Sequence, residues 1–229
     1  AMDPQQWLLL ELSWEAIEQA GINAESLSGS ATGVFVGLSN FEYHLRGLNA
    51  PSPERINHYS GSGNSPGVAA GRIAYFLDLQ GPVMTLDTAC SSALVATHQA
   101  CQSLRLGESN LALAGGVNLI LNPQTSIYFS QLQSLAADSR CKPFAAEADG
   151  FVRSEGGGLI VLKRLTDAHR DKDQILGIIR GSAINHDGAS NGLTAPNRQA
   201  QVAVLQQALQ QAQIPAELIS YVEAHGTGT

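Results

Sequence analysis

A layered α/β fold with a largely parallel sheet is predicted for this chain on three grounds. Strand patterns alternate with helical patterns along its length, as crossover connections between parallel strands require. Leu111 to Asn118 is a run of small apolar residues, the composition of a strand buried on both faces. With 44% hydrophobic residues, 14% charged residues and 23 glycines in 229 positions, the chain suits a compact core better than a disordered segment.

The elements follow in order. Pro4 to Ala20 has helical periodicity, with Asp3 placed to cap it, Pro4 at the first position and Gly21 as its stop. Trp7, Leu10, Trp14 and Ile17 recur at three- and four-residue intervals, which assigns both tryptophans to a core or an interface. Thr32 to Leu38 alternates into a strand. Residues 40–64 are polar and punctuated by Pro51, Pro53, Gly61 and Gly63, a loop with a short helix. Ser65 to Leu77 reads as a helix that Ser65 caps. A β-prone run then ends at Asp87 and a helix opens at Cys90, with Leu94, His98, Cys101 and Leu104 along one mostly apolar stripe. After the Leu111 strand, residues 123–150 are the least regular part. Gly157 to Lys163 and Ile175 to Ile184 read as strands that could pair as neighbours. Gln199 to Gln213 is a helix, and Ile219 to Ala224 is the last strand.

Composition also sets bounds on function. A net charge of −7 with no Lys/Arg cluster argues against a nucleic-acid partner. Apolar runs such as Leu119 to Leu121 are far too short to span a bilayer, and residues 1–4 do not resemble a secretory signal. The three cysteines lack CxxC spacing, which suggests neither a metal site nor a disulfide framework and fits a reducing, cytoplasmic setting. Cys101 on the apolar side of its helix and Cys141 beside Lys142-Pro143 read as structural.

Cys90 is different. A cysteine in the first turn of a helix faces unpaired N–H groups and the positive end of the helix dipole, and both stabilise the thiolate, the reactive form. Small neighbours (Ala89, Ser91, Ser92) leave room for a substrate carbonyl, and the Cys90 N–H is placed to help hold an oxyanion. The local residues are equally compatible with a buried cysteine acting as a small hydrophobe. His225 favours the nucleophile. It stands where the Ile219 to Ala224 strand meets Gly226-Thr227-Gly228-Thr229, and ligand sites in open α/β sheets gather beyond the carboxyl ends of strands. Its imidazole suits donation to a carbonyl or proton exchange near neutral pH. A cysteine and a histidine far apart in sequence form a known nucleophilic arrangement.

Rival motifs are weaker. Gly63-Asn64-Ser65-Pro66-Gly67 matches the G-x-S-x-G of hydrolases, but the polar residues 57–62 before it make a poor strand. No phosphate-cradling glycine motif is present. His44, His58 and His169 read as solvated, His186 as a turn residue and His98 as a satisfied core histidine. The acidic pairs Glu147/Asp149 and Asp171/Asp173 suit turns and solvation.

Asp87-Thr88-Ala89-Cys90-Ser91-Ser92 together with Val222-Glu223-Ala224-His225-Gly226-Thr227-Gly228-Thr229 resembles the β-ketoacyl synthase family, and within it the ketosynthase domain of modular type I polyketide synthases. Met2-Asp3-Pro4-Gln5-Gln6, Ala70-Gly71-Arg72-Ile73, Leu113 to Asn118, Ala148 to Arg153 and Ser190 to Asn197 agree, so the resemblance covers essentially the whole chain. Gly157, where many relatives have cysteine, and Ala145, where aspartate is usual, depart from the pattern without touching the nucleophile.

The resemblance implies a thiolase-like fold with a buried nucleophile helix. Residues 1–165 would form the first half and residues 166–229 the start of the second. It also implies truncation at both ends, with a lysine and a second histidine of the family lying beyond residue 229. The implied activity is acyl transfer to Cys90 followed by decarboxylative condensation with a malonyl-type extender, with His225 stabilising the enolate. Thr227 and Thr229 match threonines that hold the pantetheine arm, and Phe129 aligns with an aromatic that gates the acyl pocket. The implied partners are acyl carrier protein, acyl and malonyl-type thioesters and a second copy of the domain. No nucleic acid, membrane, metal or resident cofactor is implied, since the phosphopantetheine arrives on the carrier. Two alternatives stand beside this reading: a fatty-acid ketoacyl synthase, and a non-elongating domain that only binds acyl chains or holds a dimer.

Overall fold

The first helix, α1 (Pro4–Gln19), starts as its sequence dictates, with the Gln5 N–H donating to the Asp3 carboxylate at 2.8 Å and Pro4 in the first turn. Its buried face is not the tryptophan stripe. Gln5, Leu9, Ser13 and Ile17, spaced four apart, are buried, whereas Trp7 and Trp14 are 58% and 42% exposed. The polar members of that face all have partners. The Ser13 hydroxyl donates to the Leu9 carbonyl at 2.6 Å, and the Gln6 side chain accepts the Arg72 Nε–H at 2.7 Å. A polar side chain so satisfied can be buried, a fact that hydropathy does not register.

A computed structural model describes residues 2–48 and 56–229, so Pro51 and Pro53 lie outside the described residues. The chain divides into two compact units, Ala1–Asp167 with His225–Thr229, and Ala168–Ala224. The first unit contains a four-stranded sheet of β1 (Thr32–Gly37), β2 (Val83–Leu86), β3 (Leu111–Asn118) and β4 (Gly156–Lys163), in the order β2-β1-β3-β4. Strand β1 runs parallel to β2 and β3, with Val34 opposite Val83 and Leu113. Strand β4 runs antiparallel to β3, with Val161 opposite Leu113. The remaining helices are α2 (Glu42–Leu48), α3 (Tyr59–Asn64), α4 (Val68–Leu77), α5 (Ser92–Leu106), α6 (Gln124–Gln131), α7 (Leu165–Asp171) and α8 (Arg198–Ala212).

Alternation along β1 and β3 sorts two cores. Val34, Val36, Leu111, Leu113 and Val117 join Leu9 and Ile17 of α1 and Ala70 and Ile73 of α4 on one face. Phe35, Ala112 and Ala114 meet Ala96, Ala100 and Leu104 of α5 on the other. Full burial of Phe35 contributes roughly 1.5–3 kcal/mol. The alanines around it let α5 lie close against the sheet.

Around the nucleophile and α4, three expectations need correction. A single 3₁₀ turn, Ala89–Ser91, carries Cys90, and α5 begins only at Ser92. Its buried face is Ser92, Ala96, Ala100, Cys101, Ser103 and Leu104, which leaves Leu94 77% exposed. Leu94 is two residues from Ser92, about 200° around a helix of 3.6 residues per turn. Ser65 closes α3, its N–H donating to the Gly61 carbonyl, and does not cap α4.

Neither 175–184 nor 219–224 forms a strand, and β4 pairs with β3 instead of with 175–184. Apolar β-branched runs favour extension, but a strand exists only where a second backbone completes the ladder. In the second unit, residues near 181 lie along α8. A Cβ on Gly181 would be 2.5 Å from the Ala208 carbonyl oxygen, and the Ser182 N–H donates to Gln211 Oε1 at 2.7 Å. The Asn197 side chain caps α8 by accepting the Gln199 and Ala200 N–H groups. Among the described residues no helix is long and apolar enough to cross a membrane.

Candidate active site

Cys90 sits on an elbow between β2 and α5 that is built from short polar side chains. The Asp87 carboxylate accepts the Ala89 N–H at 2.9 Å and turns the chain out of the strand. Ala89 adopts φ +53°, the left-handed region that a residue with a Cβ enters at a cost. Ser92 Oγ accepts the Thr88 N–H at 2.9 Å and donates to the Ala89 carbonyl at 2.6 Å. The Thr88 and Ser91 hydroxyls lie 2.9 Å apart. These bonds hold Cys90 exposed and two residues before α5, next to the positive end of that helix. Strain next to a candidate nucleophile is the kind of outlier that points to function.

Two glycines seat this elbow on the sheet. A Cβ on Gly37, at the end of β1, would lie 2.5 Å from the Ala93 nitrogen and 2.5 Å from the Ser92 carbonyl carbon. A Cβ on Gly116 of β3 would lie 2.9 Å from the Ala93 Cβ. The first turn of α5 therefore rests on the carboxyl ends of two parallel strands at a distance only glycine permits. That location is where α/β sheets gather their ligand sites.

The other sequence-predicted residues belong to the same unit. His225 is exposed, and the segment before it forms no strand. Beyond it, the Thr227 and Thr229 hydroxyls lie 2.8 Å apart. Gly228, at φ +78°, accepts the Gly150 N–H at 3.0 Å, and a Cβ there would lie 2.8 Å from the Lys142 nitrogen. The loop bearing His225 thus docks on residues 142–150. Phe129 is half-buried in α6, edge-on to Phe151 with centroids 5.3 Å apart and planes at 82°. Phe151 adjoins Gly150, so the threonine loop and Phe129 are tied through consecutive residues. Among the described residues, no hydrogen bond joins Cys90 directly to His225.

Burial pushes the Cys101 thiol up against the opposing pull of Arg105, which makes it a poor nucleophile. Cys141 is exposed in a loop, where its Sγ accepts the Val152 N–H at 3.3 Å. His98 is half-buried with Gln102 3.4 Å away, and His186 accepts the Gly188 N–H as a turn residue does. One group near Phe129 was assigned no role from the sequence. Glu42, 2% exposed, pairs with Arg153 at 2.8 Å, and the two come from polar stretches with no periodic pattern. Burial opposes the charged Glu42. Hydrogen bonds from Arg153, Thr125 and the Leu121 and Asn122 N–H groups outweigh that penalty and hold its carboxyl below the ordinary range.

Comparison with known proteins points one way. Residues 1–168 match the family model for the beta-ketoacyl synthase N-terminal domain, and residues 176–229 match its C-terminal domain. The chain is 55% identical over all 229 residues to a phenolphthiocerol/phthiocerol polyketide synthase of Mycobacterium tuberculosis, of which it spans 15%. Among solved structures, the whole chain superimposes on a ketosynthase from module 6 of the bacillaene synthase of Bacillus subtilis 168, with a TM-score of 0.91, 44% identity and 39% of that chain covered. It also superimposes on an oxazolomycin ketosynthase domain of Streptomyces albus JA3453, with a TM-score of 0.90, 38% identity and 39% coverage. The fold is therefore that of the thiolase-like ketosynthases, of which the chain spans well under half.

Proposed function

The chain belongs to the beta-ketoacyl synthase family, and on that premise we propose that it carries the nucleophile of a polyketide synthase ketosynthase. The Cys90 thiolate attacks the carbonyl carbon of an acyl thioester on a carrier protein. The carrier thiol leaves, and the acyl group stays as a thioester on Cys90. A malonyl-type extender on a carrier then loses its carboxylate as CO₂, and the electron pair of the broken C–C bond becomes an enolate. The enolate carbon attacks the Cys90 thioester carbonyl, the C–S bond breaks, and the thiolate is regenerated as the β-ketoacyl chain departs on the carrier. Covalent catalysis divides one difficult bond formation into two easier steps.

The observation that carries this reading is the exposed Cys90 elbow seated on Gly37 and Gly116. His225 is assigned to the enolate oxygen, Thr227 and Thr229 to the pantetheine arm and Phe129 to the acyl pocket. The scheme draws its electrons from the extender, so it calls on no metal or redox cofactor. The similar proteins are polyketide synthases, which favours that assignment over a fatty-acid enzyme or a non-elongating domain. Working partners on this reading are carrier protein and a second copy of the domain. A reducing, cytoplasmic setting belongs to the same proposal and rests on the cysteine number and spacing in the sequence.

His225→Ala in the full-length protein tests the division of labour. Extender decarboxylation is expected to fall by about 10²–10³, the usual consequence of losing one transition-state hydrogen bond, while acylation of Cys90 changes far less. Equal loss of both half-reactions in a folded variant would show that the roles are misassigned.

A further inference from the structure

Glu42 lies at the start of α2 with both carboxylate oxygens engaged. Oε1 pairs with Arg153 Nη2 at 2.8 Å, and Oε2 accepts the Leu121 and Asn122 N–H groups at 2.7 and 2.9 Å. Asn122 Oδ1 in turn accepts the N–H of Gln124, the first residue of α6, at 2.7 Å. From the other side, Arg153 Nη1 donates to Ser126 Oγ in the first turn of α6 at 2.7 Å. One buried ion pair therefore grips the approach to α6 and its opening turn at once. Phe129 stands in the next turn of that helix. Its edge-to-face partner, Phe151, is two residues before Arg153, so the same guanidinium anchors the strands of chain that supply both rings. The segment after Arg153 is fixed too, by Glu155 accepting the Ile120 N–H at 2.7 Å and the Ser154 carbonyl accepting the Asn118 amide at 2.7 Å.

We propose that Glu42 is a positioning residue that, through Arg153 and the first turn of α6, sets the Phe129–Phe151 aromatic pair and thereby the acyl-chain length accepted at Cys90. The inference rests on the reading of Phe129 as an acyl-pocket aromatic. Buried ion pairs add little net stability relative to apolar residues of similar size, and what this one supplies is a defined location for the helix end. Neither Glu42 nor Arg153 is assigned any contact with substrate. Their effect reaches the reaction only through the rings.

In the full-length protein, wild type, Glu42→Gln, Arg153→Lys, Phe129→Ala and Glu42→Gln/Phe129→Ala are incubated with acetyl and octanoyl N-acetylcysteamine thioesters. Acyl-Cys90 is followed by mass spectrometry and folding by melting temperature. The octanoyl-to-acetyl rate ratio is expected to change by about fivefold in Glu42→Gln, a relative barrier change near 1 kcal/mol. Phe129→Ala should shift it comparably, and the double variant no further than Phe129→Ala alone. Arg153→Lys keeps the charge but loses the fork that reaches Ser126, so it carries the same test if Glu42→Gln does not fold. A ratio within about twofold of wild type in both clamp variants, with both rates merely lowered together, overturns the proposal. No shift in Phe129→Ala would overturn it by removing Phe129 from the pocket. Absence of acyl-Cys90 in the folded wild type would instead remove the functional reading on which it stands.

Discussion

Replacing Gly37 with alanine should displace the nucleophile without touching it. The new Cβ would lie 2.5 Å from the Ala93 nitrogen and the Ser92 carbonyl carbon and 2.8 Å from the Ala93 Cα, whereas ordinary contact begins near 3.4 Å. The first turn of α5 must therefore retreat by about 1 Å, and these are backbone atoms that cannot swing aside as a side-chain tip would. Ser92 ties that turn to Thr88 and Ala89, so Cys90 moves with it. Overpacking of this kind typically costs about 1–3 kcal/mol. A misplacement near 1 Å can cost about 10²-fold in rate. Gly71 in α4 is the control, because a Cβ there meets nothing within 4 Å. Gly71→Ala should leave activity intact and raise stability by up to about 1 kcal/mol. Rates of Cys90 acylation and calorimetric melting of both variants decide the matter. Native melting and an acylation rate within about twofold of wild type in Gly37→Ala would refute the reasoning.

Ser92→Ala removes two of the bonds that brace the elbow and should cost about 1–2 kcal/mol in urea unfolding; a change below about 0.3 kcal/mol would show that this part of the brace is dispensable. For Glu42, the folded carboxyl titrates below the ordinary value of 4.5, despite burial, because Arg153, Thr125 and two backbone N–H groups favour its charged form. Its contribution is therefore complete above the unfolded pKa and is lost as pH falls through the lower folded pKa. The stability gap between wild type and Glu42→Gln should be widest above about pH 4.5 and close on acidification, and a gap independent of pH would contradict the assignment.

Much of the frame was legible because its signals are local. The Asp3 cap, Pro4 and the bounds of β3 need only neighbours along the chain, whereas the 3₁₀ turn that carries Cys90 ahead of α5 was read as the helix itself. The tryptophan stripe misled because burial of Gln5, Gln6 and Ser13 depends on partners as distant as Arg72. Residues 175–184 and 219–224 have strand composition, yet strands are made by pairing and not by propensity. At the site, Cys90 and His225 were legible from their local residues and then from the family resemblance, while the parts that hold them were silent. Gly37 and Gly116 look like any glycine at a strand end until the helix is placed on them. Glu42 and Arg153 are 111 positions apart, and nothing in either segment advertises the other.

The central claim is that the elbow makes Cys90 the acyl acceptor. The direct measurement is to react the folded full-length protein with an acyl thioester, digest it and map the adduct by mass spectrometry. Cys141 is the demanding control, because it too is exposed but has no helix start behind it. The account predicts acylation at Cys90, with Cys101 and Cys141 unmodified on the same timescale and the Cys90→Ala variant unlabelled. Acyl groups found on Cys141, or retained in Cys90→Ala, would contradict it.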